Sequence, residues 1–597
     1  MLPATCHSSF PTQFQTIIRD NFGLWGALAL AAGLKAAILA LDIVPFNADE
    51  AVVALMARHI LQGERPVFFY GQAYLGSLDA WLIAGAFLIF GQTVLAIRIV
   101  QSALYLGTIA TTYLLGLKIF GSRWIAGAAA LLLALPTVTV TLYTTATLGG
   151  YGEMLLFGNS LLLWALRLRT AHAQVWAPTP VRAPTQVRAH TPVRAHTWVR
   201  PYEWLLFGGL AGIGFWAFGF LGVYILPICM TLLWPKLNHE DAGELVRTEA
   251  KFFLVFLRAL RAYAVNYFLA FVGFALGSSP WWFATLFGAA TLTELGGSAI
   301  AGASAGGPLV EALRHAFYFV ILGLPVIMGV RPSWAVQWLA LPLFPLALVL
   351  FMGAVGRAIG LSLAGWRRAG WRANPTGAEL GRALLLGLCA TLILAFIVTP
   401  FGADPSGRYF LPLAIPLALF TADLLDRVRR DYPRLAIGLL GGLLAFNLWG
   451  HVDAASVFPP GFTTQFDPVA QVDQRDLPQV IEFLTAHGET RCYSNYWVTF
   501  PVAFLSSERI ICAARLPYHL DFRYTSRDDR YPPYTQAVAD ADHVAYVTTR
   551  HPPLDERLRS GLAGLGVTFS ETQIGDFHIF YNLSRKVIPD ELGLGAK

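Results

Sequence analysis

The chain has 597 residues, of which 55% are hydrophobic and 13% charged. A soluble globular domain carries roughly 25% charged residues, so this composition excludes an ordinary soluble protein and implies a polytopic membrane protein. The net charge of +6 is gathered in a few loops between apolar segments, the pattern of cytoplasmic loops; it is no nucleic-acid signal, and no nucleic-acid partner is expected.

Residues 22–41 are the first apolar segment and are long enough to span. No small-residue cleavage site follows a short apolar core, so the segment reads as a retained anchor. Lys35 lies within it, roughly 9 Å from the outer end at 1.5 Å per residue. There it either serves function or snorkels to the interface. Residues 42–96 form the first external loop, and 43–74 is its most polar stretch. It opens on Asn47-Ala48-Asp49-Glu50 at the mouth of a helix. Val52, Val53, Met56 and Ile60 fall at helical spacing, and Gly63 and Pro66 stop the helix.

The apolar run 78–90 contains Asp79 and is shorter than the roughly 20 residues a span requires; a re-entrant or interfacial position is expected. Segments 97–118, 124–143 and 153–169 then run inward, outward and inward, which puts Lys118, Arg123, Arg167 and Arg169 on the cytoplasmic face. The loop 170–202 contains a repeated hexapeptide, APTPVR, APTQVR, AHTPVR and AHTWVR, over 177–200. Its prolines exclude a helix. The repeat is low complexity, either an anionic-lipid contact or a neutral expansion in a permissive loop.

Residues 203–235 read as a hairpin of two short helices, with Gly219 and Gly222 near its middle. Residues 236–251 are polar and cytoplasmic, and 252–276 spans outward. A long external loop, 277–332, carries a partly embedded helix at 316–330. Segment 336–355 returns to a basic loop with Arg357, Arg367, Arg368, Arg372 and Arg382. Segment 383–400 goes out, 409–425 comes back to Arg427, Arg429, Arg430 and Arg434, and 435–450 goes out again. The expected fold class is an all-α polytopic membrane protein of about 11 spans with a small C-terminal α/β domain outside the cytoplasm. The N-terminus is cytoplasmic and the membrane is the cell membrane.

The expected domains are a membrane module, 1–452, and a soluble domain, 453–597, large enough for its own core. In the latter, 477–487 and 554–565 read as helices. Residues 491–495, 509–512 and 543–547 read as strands, and 567–572 with 577–581 as a closing pair. Cys492 and Cys512 either pair, if this domain faces an oxidising compartment, or are buried free thiols.

Topology gathers the candidates for chemistry at one face. Asp49 and Glu50 open the first external loop, and Glu153 opens the fourth span behind Gly149, Gly150 and Gly152. Arg408 and Tyr409 sit at the mouth of the tenth span, and Arg314 and His315 are external. Carboxylates act as a base or hold a divalent cation, and Arg clamps phosphate with paired hydrogen bonds. Structural roles compete. Asn47 with Glu50 fits a helix cap, Asp49 and Glu153 fit first-turn acids, and Arg408 fits an interfacial anchor.

Several stretches resemble GT-C glycosyltransferases of the protein-mannosyltransferase and aminoarabinose-transferase superfamily. They are Asp49-Glu50, ARHILQGERPVFFYGQAYLGSLDAW, Ile97-Arg98, Glu153 and Gly407-Arg408-Tyr409-Phe410-Leu411-Pro412. The resemblance covers 22–169 well and the later spans loosely. It implies a polyprenyl-phosphate sugar as donor, an acceptor hydroxyl or amine on a glycan, lipid or protein, and an inverting transfer at the external membrane surface. Asp49 would be the base and Glu50 an acceptor or metal contact. Glu153 would be the second acid and Arg408 the phosphate clamp, with Tyr409, Lys35 and His315 as substrate contacts. The resemblance leaves a cofactor open, because members of the superfamily differ in metal dependence; a divalent metal cation, if used, would sit on Asp49 and Glu153. The Lys-Pro-Pro of the aminoarabinose branch is replaced here by Tyr74-Leu75-Gly76-Ser77-Leu78, which moves the phosphate contact toward Arg408 or Lys35. Protein N-glycosylation is disfavoured by the lack of a sequon-recognition motif. The alternatives are a transporter or flippase of lipid-linked sugars, which lacks support from internal halves, and an inactive scaffold with a partner-binding external domain.

Overall fold

The computed structural model describes residues 21–175, 200–233, 264–297, 307–369, 377–404, 406–457 and 461–594. The hexapeptide repeat, the polar segment 236–251, the first half of 252–276, Cys6 and Arg372 lie outside the described residues.

The chain is an integral membrane protein, mostly helical. Among the described residues seven helices are long and apolar enough to cross a membrane, and the bent pair Ala264–Gly277 and Ser279–Leu286 makes an eighth. Phe22–Ala40, Gly377–Val398 and Pro433–Ser456 fall where the hydropathy placed spans. Other segments are broken. The helix Arg123–Ala134 stops before Pro136 and resumes as Val138–Tyr143, because proline disfavours helical backbone in the residue before it. The expected hairpin forms as Pro201–Ala217 and Gly222–Leu233. The helix expected to be partly embedded belongs to a longer apolar run, Pro308–Ile327, with a π-helical stretch at Phe319–Gly323.

Helix Ala48–Gln62 begins at Asn47, whose side chain accepts the Glu50 N–H at 3.1 Å. It ends at Gly63, whose φ of +113° suits a residue without Cβ. From Ala48 to Ile60 only Asp49 is not buried. A two-stranded ribbon, β1 (Phe68–Phe69) and β2 (Gln72–Gly76), follows antiparallel. The apolar helix Leu78–Phe90 is as short as its sequence predicts.

The C-terminal region carries five strands: β3 (Arg491–Ser494), β4 (Ile511–Ala514), β5 (Ala545–Thr549), β6 (Ser570–Ile574) and β7 (Phe577–Tyr581). Their order is β4-β3-β5-β7-β6, parallel in the first three and antiparallel in the rest. One face buries Val480, Leu484 and Val498, the other Val538, Leu554 and Leu558. Cys492 lies opposite Cys512 in register and the two form a disulfide. Two helices here went unread in the sequence, Tyr496–Leu505 and Pro532–Ala539. The first is apolar on all sides, so it shows no amphipathic period. It is buried from Tyr496 to Phe504 and packs against Ala48–Gln62.

Candidate active site

The buried faces of Ala48–Gln62 leave Asp49 as the carboxylate that the helix presents. Its Oδ1 accepts a hydrogen bond from the Tyr496 hydroxyl at 2.5 Å. Tyr496 is delivered by Asn495, which caps the following helix by accepting the Trp497 N–H at 3.0 Å. The Arg530 guanidinium lies 5.4 Å from the Tyr496 ring centre and 5.9 Å from that of Phe69, and it donates to Gly71 O at 3.3 Å. Asp528 is buried beside them. Burial pushes its carboxyl up to about 7, with Arg530 opposing and the Asp49 charge adding to the rise.

Tyr74 in β2 links this group to a second one. Burial raises its hydroxyl above the ordinary value, and the charges of Arg408, Arg530, Arg527 and Asp49 all act on it. Its ring meets Phe401 at 6.1 Å and Phe218 at 6.2 Å. Phe401 in turn meets Tyr409 at 5.1 Å. The Arg408 guanidinium sits 5.1 Å over the Tyr409 ring and pairs with Asp404 at 2.5 Å. Arg408 Nε and the Tyr409 hydroxyl are buried with no hydrogen-bond partner among the described residues. Glu294 braces the roof of the site: it accepts the Ala73 N–H at 2.5 Å and pairs with Arg527 at 3.3 Å.

Of the other sequence candidates Glu50, Lys35 and His315 turn to protein partners, whereas both Glu153 carboxyl oxygens are buried with none among the described residues. Glu50 is fully buried and holds Arg98 through Nε and Nη2 at 2.5 and 2.6 Å. Arg98 also reaches Val44 O and Pro45 O, so the pair fixes the approach to the helix. Lys35 is 4% exposed and donates to Thr144 Oγ1, Thr145 Oγ1 and Thr141 O at 2.8, 2.6 and 3.3 Å. It therefore ties the first span to the broken helix instead of snorkelling. His315 is buried, with Nδ1 3.1 Å from Ile397 O and its ring against Gly402, where it backs the turn that carries Asp404. Glu153 lies beside Asp79, whose carboxylate accepts from Gln101 at 2.8 Å and from Thr147. The glycines before Glu153 let the backbone approach protein: a Cβ on Gly150 would lie 2.8 Å from Ala217 O.

Among the described residues no group of three or more His, Cys, Asp or Glu side chains could hold a metal ion. Asp49 is engaged by Tyr496, while both carboxyl oxygens of Glu153 are buried with no hydrogen-bond partner among the described residues. Sequence reasoning did not assign Tyr496, Asp528 or Arg530 to the site. The signal available was the charged run Arg527-Asp528-Asp529-Arg530 between Tyr524 and Tyr531.

The fold defines the class: an integral membrane protein with a helical membrane region and a small C-terminal sheet, a fold it shares with a solved structure. The structure overlays on ArnT from Cupriavidus metallidurans bound to undecaprenyl phosphate with a TM-score of 0.55. The match covers 96% of this chain and 99% of that one at 12% identity. Against the apo state of the same protein the TM-score is 0.54, with the same coverage and identity. The Archaeoglobus fulgidus oligosaccharyltransferase in complex with zinc and sulfate overlays at a TM-score of 0.47 and 14% identity, over 88% of this chain and 67% of its own. No protein-family model matches the chain, and no curated protein does.

Proposed function

We propose that the protein is a membrane glycosyltransferase. In this reading it moves a sugar from a polyprenyl-phosphate donor to an acceptor hydroxyl or amine, with inversion, at the membrane face that bears the C-terminal sheet. The observation that supports the reading is the pairing, within a fold shared with ArnT, of Asp49 held by the Tyr496 hydroxyl with a buried Arg408 Nε and Tyr409 hydroxyl that have no hydrogen-bond partner among the described residues. ArnT was solved with undecaprenyl phosphate, and a donor of that class is taken over here as part of the proposal.

The acceptor's O–H or N–H proton passes to Asp49 as its heteroatom attacks the anomeric carbon. The bond from that carbon to the phosphate oxygen breaks, and its electron pair leaves on the polyprenyl phosphate. That leaving group is already an anion, so the donor side needs charge stabilisation more than an acid. Arg408 supplies it, with the Tyr409 hydroxyl as a neighbouring donor. Tyr496 and Arg530 orient Asp49, while Glu50 holds the helix through Arg98. No metal step is required by these residues.

The test is release of polyprenyl phosphate by purified protein given polyprenyl-phosphate sugars and a cell-envelope extract. Wild type should release it, and Asp49→Asn should lose release by far more than tenfold while remaining folded. Activity within about tenfold, roughly 1.4 kcal/mol of barrier, would remove Asp49 from the role of base.

A further inference from the structure

A cavity of about 270 Å³ lies where the first span ends, between Asp42, the start of helix Val94–Phe120 and the loop Asp473-Gln474-Arg475. That is close to the lower end of small-molecule pockets, about 300 Å³, and suits a headgroup better than a whole lipid. Leu95 on its wall and Leu41 beside Asp42 are 57% and 69% exposed. In a membrane protein, exposed leucines at the end of a span face lipid, so the cavity opens where lipid headgroups are.

Its charges are unevenly matched. Arg98 is neutralised by Glu50 and Arg475 by Asp473. The Asp42 carboxylate has no hydrogen-bond or ion-pair partner among the described residues, so of the four charges that line the cavity it is the one without a paired opposite charge. Burial raises the Asp42 carboxyl above its ordinary value, and the Arg98 and Arg475 charges do not offset that rise. A cation brought to it would be favourable. Gln474 Oε1 is a buried acceptor with no partner among the described residues. On the donor side, Arg98 and Arg475 engage their carboxylates through Nε and Nη2, and each keeps Nη1 free among the described residues.

We propose that this cavity binds the headgroup of a zwitterionic aminophospholipid, with its ammonium on Asp42 and Gln474 Oε1 and its phosphate on the free edges of Arg98 and Arg475. A purely anionic headgroup leaves the Asp42 carboxylate without a counter-charge. A quaternary ammonium has no N–H for either acceptor. Through Arg98, whose other edge holds Glu50, the occupant bears on the helix that carries Asp49. The inference does not depend on glycosyl transfer, and its readout is lipid retention.

The experiment is native mass spectrometry of the delipidated full-length protein. It is given equal amounts of phosphatidylethanolamine, phosphatidylglycerol and phosphatidylcholine with identical acyl chains. Wild type should retain phosphatidylethanolamine over either competitor by about tenfold, a difference of ~1.4 kcal/mol. Asp42→Asn should abolish the preference without disturbing the backbone, because asparagine tolerates the φ of +49° found at Asp42. Gln474→Leu should weaken it. Equal retention of the three lipids, or a preference that survives Asp42→Asn, overturns the site. Displacement of the lipid by soluble phosphoethanolamine at equal concentration overturns the lipid as ligand and assigns the cavity to a free phospho-amine.

Discussion

Asp528 is a group that the fold brings into the neutral range. Its carboxyl rises from an ordinary value near 3.8 to about 7, through burial first and the Asp49 charge second. The folded state thus holds this proton more tightly than the unfolded chain. The cost to folding begins as pH rises past 4 and is complete above 7. At ~1.4 kcal/mol per unit it amounts to roughly 4 kcal/mol. Asp528→Asn should therefore melt above wild type at pH 8, with the gap closing toward pH 5; thermal scans across that range check it. Glu50 and Arg98 behave oppositely, as a buried pair in which each partner depends on the other. Arg98→Met alone should destabilise by about 3–5 kcal/mol because it strands a buried carboxylate, and adding Glu50→Gln should recover most of the loss. Melting temperatures of the single and double variants decide this. Asp49 and Glu50 are one helical step apart, which turns Asp49 toward Tyr496 and Glu50 toward Arg98.

At the scale of elements, the segment 492–512 joins the two halves of the site. It leaves the sheet at β3, forms the helix that bears Tyr496, and returns at β4, with the disulfide closing its base. Glu508 within it receives His59 at 3.0 Å, Arg58 at 3.4 Å and Tyr534 at 2.8 Å, and the Phe504 ring lies 4.8 Å from the Arg58 guanidinium. These bonds, opposing the effect of burial, hold the Glu508 carboxyl down at about 2. Closing a loop with a sequence separation of 20 stabilises by roughly 3 kcal/mol in the chain-entropy account. Replacing both cysteines with serine should lower the melting temperature and also slow transfer, since the loop carries the partner of Asp49. Assays of unfolding and of polyprenyl phosphate release on the same preparation test both. All five strands were legible within about three residues of where they stand. The Tyr496 helix was not, because a helix buried at nine of its ten residues, with only Thr499 among them carrying a polar aliphatic side chain, shows no period that separates helix from strand.

For the whole molecule, the contact of Tyr496 with Asp49 puts the sheet-bearing region and the first loop on one membrane face. We propose that this face is external and the N-terminus cytoplasmic, since Arg427, Arg429, Arg430 and Lys118 cluster at the opposite helix ends. An alkaline phosphatase fused after Lys597 should be active, and a cytoplasm-dependent reporter at the same point should not. The reverse result would invert the arrangement. By itself the sequence determined the membrane class, the position of the first spans, the helix that begins at Asn47 and the small C-terminal sheet. All of these follow from composition and from periods that local chain geometry imposes. Only the tertiary structure decided which charges face one another. Lys35 went to the threonines of a broken helix and Glu50 to Arg98, Glu153 came to lie beside Asp79 with both carboxyl oxygens buried and without a hydrogen-bond partner among the described residues, and Asp49 met Tyr496 from a segment 447 residues away. Charged side chains near a membrane are placed by whichever partner removes the cost of burial, and that partner is set by how distant elements pack, which no local pattern encodes.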